Sequence, residues 1–185
     1  VTSVIEFATA LTDWDGYSAP NLNTIESEQN RETKFTFDAL NHKTSEERIN
    51  VRYTTEVSDP NAVVGNLSTT YEYDKAGNQI SVKDAKGAIT YSYYDAMGRV
   101  TAVVSPEVTV ATGNDPAVTS KVRALTEIKR DILGNVVAKV EYANGALLNG
   151  TGYTRVGDSA SDRKTFNVMN SLGQVIQTID ANGNS

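Results

Sequence analysis

The chain has 185 residues, 17 basic and 23 acidic side chains, a formal charge of −6, no cysteine and a single histidine, His42. That balance excludes an electrostatic nucleic-acid binder, a disulfide scaffold, a thiolate or histidine-cluster metal site and a cysteine nucleophile. Val, Ile and Thr together supply 50 residues and Leu only 9, and with 13 Gly and 16 Asn this is a mostly β, turn-rich composition.

Residues 1–30 fit no repeat and read as a lead-in segment, with a short helical turn or plain loop over Leu22–Asn30. Asp13-Trp14-Asp15-Gly16 offers two carboxylates on a Gly-bearing loop, but without the rest of a calcium-loop pattern it reads as an ordinary turn. From residue 31 to 185 one pattern recurs: a short aromatic or β-branched run, then Asp/Asn-x-x-Gly/Asn, then another β-branched run. It begins at Phe35-Thr36-Phe37-Asp38-Ala39-Leu40-Asn41 and is clearest at Tyr71-Glu72-Tyr73-Asp74-Lys75-Ala76-Gly77-Asn78. It returns at Tyr93-Tyr94-Asp95-Ala96-Met97-Gly98-Arg99, Asp131-Ile132-Leu133-Gly134-Asn135 and Asn170-Ser171-Leu172-Gly173-Gln174. Lighter versions, Asp84-Ala85-Lys86-Gly87 and Asp180-Ala181-Asn182-Gly183, link the copies.

The chemistry of the unit predicts a hairpin. Asp or Asn at the first turn position caps turn amides with its side-chain oxygen. Gly at the fourth takes the left-handed conformation of a G1 bulge that closes a type I turn, and Asn41 is the next best residue for that place. The structural turn set is therefore Asp38/Asn41, Asp74/Gly77, Asp95/Gly98, Asp131/Gly134 and Asn170/Gly173. The aromatic arms are Phe35, Phe37, Tyr71, Tyr73, Tyr93 and Tyr94, with ring-to-ring packing expected along neighbouring strands. Asp74 to Asp84 is 10 residues, Asp84 to Asp95 is 11 and Asn170 to Asp180 is 10, which suits strands of about five to seven residues. The wider gaps, Val57–Asn66, Ser105–Ser120 and Asn144–Asp162, read as loops between hairpins. The fold class expected is all-β: tandem hairpins forming a curved antiparallel sheet of about five repeats, with open sheet edges prone to self-association.

Other chemistry-bearing residues have plainer readings. His42 follows a turn residue and has no recognisable nucleophile or orienting acid, so it is placed on the surface or in the turn. Glu46-Glu47 falls on opposite faces of a strand, and turn chemistry accounts for Asp74 and Asp95, which leaves no acid pair for glycoside hydrolysis. Asp158-Ser159-Ala160-Ser161-Asp162 reads as a solvated acidic loop. Asn66-Leu67-Ser68 and Asn149-Gly150-Thr151 match glycosylation sequons, taken as accidental. No catalytic residue, cofactor or metal is expected, and no run of about 18 apolar residues forms a membrane span. The chain stops inside a pattern, Ala181-Asn182-Gly183-Asn184-Ser185, and reads as a piece of something longer that lacks a signal peptide of its own.

Tyr71-x-Tyr73-Asp74-x-x-Gly77-Asn78 and Tyr94-Asp95-Ala96-Met97-Gly98-Arg99-Val100 resemble the tyrosine–aspartate (YD) repeat of the Rhs family, over roughly Lys34–Gly183. That family includes bacterial Rhs polymorphic toxins, the B and C subunits of Tc toxin complexes, wall-associated bacterial proteins and teneurins. This chain departs from the pattern where Lys129-Arg130 replaces aromatics and where Met169 and Asn170 replace Tyr and Asp. The resemblance implies a long β-sheet spiralling into a hollow shell around a toxic domain, in a secreted or surface bacterial protein. The partners it implies are the rest of the shell and the enclosed domain. The family's autoproteolytic Asp-Pro-x-Gly motif is missing, since Asp59-Pro60-Asn61-Ala62 and Asp115-Pro116-Ala117-Val118 lack the Gly. A structural shell segment is the leading functional reading. An adhesin-like carbohydrate- or protein-binding module is the alternative, and an enzyme on a β scaffold is a third.

Overall fold

The structure, a computed structural model, describes residues 2–6, 31–54, 63–111 and 119–184. Residues 7–30, and with them Asp13-Trp14-Asp15-Gly16 and Leu22–Asn30, lie outside the described residues, as do Asp59-Pro60 and Asp115-Pro116. The described residues form twelve strands: β1 (Thr2–Glu6), β2 (Arg31–Phe37), β3 (Lys43–Tyr53), β4 (Val63–Tyr73), β5 (Gln79–Lys83), β6 (Ile89–Tyr94), β7 (Val100–Ala111), β8 (Thr119–Arg130), β9 (Val136–Asn149), β10 (Gly152–Arg155), β11 (Arg163–Met169) and β12 (Val175–Ile179). All belong to one antiparallel sheet that does not close on itself. The protein is thus all-β, as a chain rich in β-branched residues with a turn signal every ten or so positions should be.

Two compact units divide the chain: Val1–Glu72 with Asp84–Lys86, and Tyr73–Lys83 with Gly87–Ser185. In the first unit β1 pairs with β2, β2 with β3 and β3 with β4, all antiparallel. The β3–β4 ladder skips between Arg48 and Val51, where Asn50 takes a positive φ of 54°. Asn66 of β4 fastens this bulge, its Oδ1 accepting from the Asn50 amide at 3.2 Å and its Nδ2 donating to Glu47 at 3.0 Å. In the second unit β5 pairs with β6, β6 with β7, β7 with β8, β8 with β9, and β9 with β11, which pairs with β12. β10 folds back onto the far end of β9.

The wider gaps in the repeat are not loops throughout, which corrects the expectation from spacing. Val63–Asn66, Ser105–Ala111 and Asn144–Asn149 are strand, so β4, β7 and β9 run to 11, 12 and 14 residues. Pro106 is the misleading signal: it sits at a bulge between Val104 and Glu107, where a residue lacking an N–H costs no ladder bond. Asn144-Gly145 likewise marks a bulge, between the Leu125↔Tyr142 and Arg123↔Ala146 pairs.

Among the described residues every buried hydrophobic lies in the second unit: Ala102, Val104, Leu125, Ala138, Val140, Tyr142 and Ala146. The register explains the set. Tyr91, Val104, Leu125 and Tyr142 stand opposite one another across β6 to β9, and Tyr93, Ala102, Glu127 and Val140 form the next row. A single-layer sheet leaves such rows half covered. Here Leu148 and Tyr153 of the β9–β10 ribbon pack on them, and Leu125 and Val104 become fully buried. Burying each is worth about 1.5–3 kcal/mol.

The ribbon depends on Gly145. Its φ is +64°, and a Cβ there would lie 2.1 Å from the Arg123 carbonyl oxygen, a backbone atom that cannot yield. Gly150, also left-handed at φ +62°, has nothing within 4 Å of its Cβ position. Gly150→Ala should cost about 1–2 kcal/mol of backbone strain alone. Gly145→Ala should cost clearly more, together with loss of the near-UV signal of the Tyr93–Tyr153 contact. Equal losses in chemical denaturation would show that the ribbon is not fixed by this close approach.

Candidate functional site: a ladder of turns and a tyrosine–glutamate cluster

In six turns, beginning at Asp38, Asp74, Asp95, Asp131, Asn170 and Asp180, the fourth residue's N–H donates to the first residue's carbonyl at 3.0–3.1 Å. The first residue's N–H donates to the carbonyl of the fifth at 2.8–3.0 Å. The fourth residue is left-handed each time: Asn41, Gly77, Gly98, Gly134, Gly173 and Gly183, with φ between 64° and 92°. In four hairpins the ladder then resumes one residue out of step, pairing Phe37 with Lys43, Tyr94 with Val100, Arg130 with Val136 and Met169 with Val175. This is a type I turn closed by a left-handed bulge residue.

One side-chain oxygen holds each turn. Oδ1 of the first residue accepts the amides of both the third and the fifth, for example Met97 at 2.9 Å and Arg99 at 3.0 Å on Asp95. Asp38, Asp74, Asp131, Asn170 and Asp180 do the same within 2.8–3.0 Å. Asp84 accepts from Lys86 at 2.9 Å, and Gly87 completes that turn with φ +83°.

The fifth residue, which the repeat pattern alone does not single out, supplies the matching half. Its side chain donates to Oδ2: His42 Nδ1 on Asp38 at 2.9 Å, Asn78 on Asp74 at 2.9 Å, Arg99 Nε on Asp95 at 2.8 Å, Asn135 on Asp131 at 2.8 Å and Asn184 on Asp180 at 3.0 Å. Where the first residue is an amide the sense reverses, and Asn170 Nδ2 donates to Gln174 Oε1 at 2.9 Å. His42, the one histidine, is thus a turn residue. These bonds favour the charged carboxylate. The Asn78 side chain leads in holding Asp74 below the usual carboxylate range, Asn135 does so for Asp131 and Asn184 for Asp180. For Asp95 and Asp38 the backbone amides of Arg99 and His42 lead.

The same fifth residues join one turn to the next within the second unit. A Cβ at Gly98 would lie 3.1 Å from Asn78 Oδ1, at Gly134 2.1 Å from an Arg99 guanidinium nitrogen, and at Gly173 3.3 Å from Asn135 Oδ1. The turns at 74–78, 95–99, 131–135 and 170–174 therefore follow one another along one rim.

The aromatic arms have partners of several kinds. In the first unit a cation lies over Phe35 and Tyr71: the Lys43 ammonium is 5.6 Å from one ring centroid and 4.6 Å from the other, and it pairs with Glu46 at 2.8 Å. Phe37 is 43% exposed, so this arm is only partly covered. Tyr73 is half-buried. Tyr94 donates to the Gln79 carbonyl at 2.9 Å. Tyr93 does meet a ring, that of Tyr153, at 4.7 Å and 59°. Tyr153 lies outside the repeat, on β10, and no turn signal could have found it.

Tyr153 belongs to the most interlinked cluster of the second unit. Its hydroxyl and that of Tyr142 each donate to Glu127 at 2.9 Å, and Lys129 pairs with the same carboxylate. Burial works to raise the Glu127 carboxyl, but the three donors overcome it and hold it below its usual range. Burial, reinforced by the bond to Glu127, pushes Tyr153 and Tyr142 up. Arg155 lies over the Tyr142 ring at 4.8 Å and pairs with Asp158 at 2.8 Å. An open groove of about 380 Å³ runs beside the cluster, lined by Asp95, Arg99, Glu127, Lys129 and Asp131 among others. The bonds around them favour the ionised form of Asp95, Glu127 and Asp131 and the protonated form of Tyr153.

The acidic loop is only partly solvated. Asp162 accepts the Ala143 amide at 2.9 Å and the Ser159 amide at 3.2 Å, tying the loop to β9. Glu46 and Glu47 take separate partners, Lys43 and Asn66. Among the described residues no group of three or more His, Cys, Asp or Glu side chains can hold a metal. Among the described residues no helix is long and apolar enough to cross a membrane.

Asp38, Asp74, Asp95, Asp131 and Asp180 each have a folded pKa below the unfolded value, so their contribution is complete above the unfolded value and is lost as pH falls through the folded one. Thermal melts should therefore hold steady with respect to these groups above about pH 5 and drop below about pH 4. Asp95→Asn should flatten that acid limb. A variant whose melting temperature tracks the wild type at every pH would separate Asp95 from acid stability. Tyr153→Phe leaves a half-buried carboxylate oxygen short of a donor and should cost about 1–2 kcal/mol in urea denaturation.

A family model described as RHS Repeat matches residues 73–107, the stretch that holds the turns at 74–77, 84–87 and 95–98. No curated protein matches the chain. Two solved structures are similar to it, described as "Crystal Structure of TcdB2-TccC3-Cdc42" and "Crystal Structure of TcdB2-TccC3-TEV". Each is 16% identical with a TM-score of 0.28, over 84% of this chain and 10% of that one. The chain thus spans about a tenth of the length of those chains. The unit matched at 73–107 is the same turn-and-strand unit that recurs from Asp38 to Gly183, so the part of the chain that the RHS Repeat model matches is one stretch of a longer array of that unit.

Proposed function

We infer that this chain is a non-enzymatic wall segment of an Rhs/YD-repeat shell that encloses or presents a toxin domain, in a large secreted or surface bacterial protein. One observation carries the reading: an open antiparallel sheet is built from tandem hairpins, and among the described residues six of the seven buried hydrophobics form one small cluster under the β9–β10 ribbon. A sheet of this size with so small a core is suited to being built into a larger surface, and a globular enzyme would need a second layer. The turn residues Asp38, Asn41, Asp74, Gly77, Asp95, Gly98, Asp131, Gly134, Asn170 and Gly173 set the hairpins in this reading, and the six aromatic arms brace the strands. The partners are the rest of the shell, through the outer strands of the sheet, and the enclosed domain. The adhesin-like reading is weaker because Tyr71, the ring best suited to stack on a sugar, already has Lys43 over it.

Electron microscopy of the native polypeptide that carries this segment tests the reading. A hollow particle with internal density is expected, and a solid globule or an extended rod without enclosed volume overturns it. Glycan-array binding that disappears in Tyr71→Ala, with melting unchanged, would favour the adhesin.

A further inference from the structure

Four large apolar side chains stand almost wholly in solvent on turns of the second unit: Met97 is 76% exposed, Leu133 78%, Leu172 80% and Ile132 102%. Met97, Leu133 and Leu172 occupy the same place, the third residue of their turns, where Ala76 sits in the turn before them. Leu40 of the first unit, 74% exposed, has that place in its own turn. The turn itself does not ask for an apolar residue there. It uses only the backbone amide, and Lys86 and Asn182 fill the position with the same hydrogen bond to Asp84 and Asp180. Those two turns close the β5–β6 hairpin and come after β12, at the other ends of the strands. Within one array of identical turns, then, one rim carries leucine and methionine at its tips, whereas the turns at the other end carry lysine and asparagine.

We propose that the rim bearing Met97, Leu133 and Leu172 is an interface with a second copy of this chain, the two rims packing tip between tip. Spacing favours this occupant. Successive turns on the rim are two strands apart, about 9.5 Å, and the surface that fits a row of knobs with that period is another row with the same period. Two-fold pairing of identical rims provides it. Charge permits the approach. The carboxylates on the rim, Asp74, Asp95 and Asp131, are each engaged by their own turn's amides and fifth residue, so a neighbour need not neutralise them. Area sets the strength. Covering four such side chains removes on the order of 100 Å² each from water, well under the roughly 800 Å² per partner of a stable complex. The contact is therefore a weak one that forms with rising concentration. It is distinct from pairing along the outer strand β12, whose Val175 and Ile176 are also exposed.

Sedimentation equilibrium of the chain from about 10 μM to about 0.5 mM reads this directly. The average mass of the wild type should rise with concentration. The triple variant Met97→Asn, Leu133→Asn, Leu172→Asn should stay monomeric with unchanged circular dichroism and melting temperature, since Asn182 shows that the turn accepts Asn. Ile176→Lys, on β12, should associate like the wild type. A wild type that remains monomeric throughout overturns the proposal, as does a triple variant that associates undiminished. Loss of association in the β12 variant alone assigns the contact to the outer strand and also overturns it. Binding of a monomeric wild type to phosphatidylcholine vesicles, lost in the triple variant, would show that the rim meets lipid and not a second copy.

Discussion

The fold rests on one side-chain oxygen in each turn. A type I turn directs the amides of its third and fifth residues inward, where no strand can reach them, and Oδ1 of the first residue accepts both. With those amides satisfied, the fourth residue is held left-handed and the ladder resumes one residue out of step. In the four hairpins closed this way, the second strand takes its register from the turn before it. In Asp95, whose two oxygens bind the Met97 and Arg99 amides and the Arg99 guanidinium, a single half-buried residue fixes four donors.

Register also decides where the protein has an interior. The Tyr93–Ala102–Glu127–Val140 row would lie open on a plain sheet. The bulge at Gly145 lets the end of β9 and all of β10 cover it, bringing Tyr153 onto Tyr93 and onto Glu127. Placing a carboxylate in an apolar row is costly unless it is paired and hydrogen-bonded, and two tyrosine hydroxyls and Lys129 meet that condition. The cluster thus locks the ribbon in one position, since an apolar contact alone would tolerate sliding.

The all-β class was legible from composition and from a unit that repeats at short spacing, because the residues that close these turns, Asp, Asn and Gly, are the ones whose chemistry is local. What could not be read there is non-local. The long strands were hidden because Pro106 and Asn144-Gly145 mark bulges inside strands as readily as they mark loops. The lysine over Phe35 and Tyr71 depends on pairings between strands that no spacing reveals. Tyr153 sits eleven residues past Tyr142 on a ribbon that folds over the sheet, and only the close approach at Gly145 brings it there. The fifth turn residue was within reach. His42, Asn78, Arg99, Asn135 and Asn184 are all donors after an Asp, and Gln174 alone follows an Asn.

Because each of the six described turns is closed by its own atoms, a hairpin of this kind is a self-contained piece: two strands and the turn that sets their register. The reach of Arg99 over Gly134 sets a grammar for joining such pieces. The demand for glycine at the successor's fourth place is strictest after a long fifth residue: a Cβ there would lie 2.1 Å from Arg99, against 3.1 and 3.3 Å from the asparagines Asn78 and Asn135. The order of hairpins is then a sentence with agreement between adjacent words, and shuffling them is tolerated only where the agreement holds.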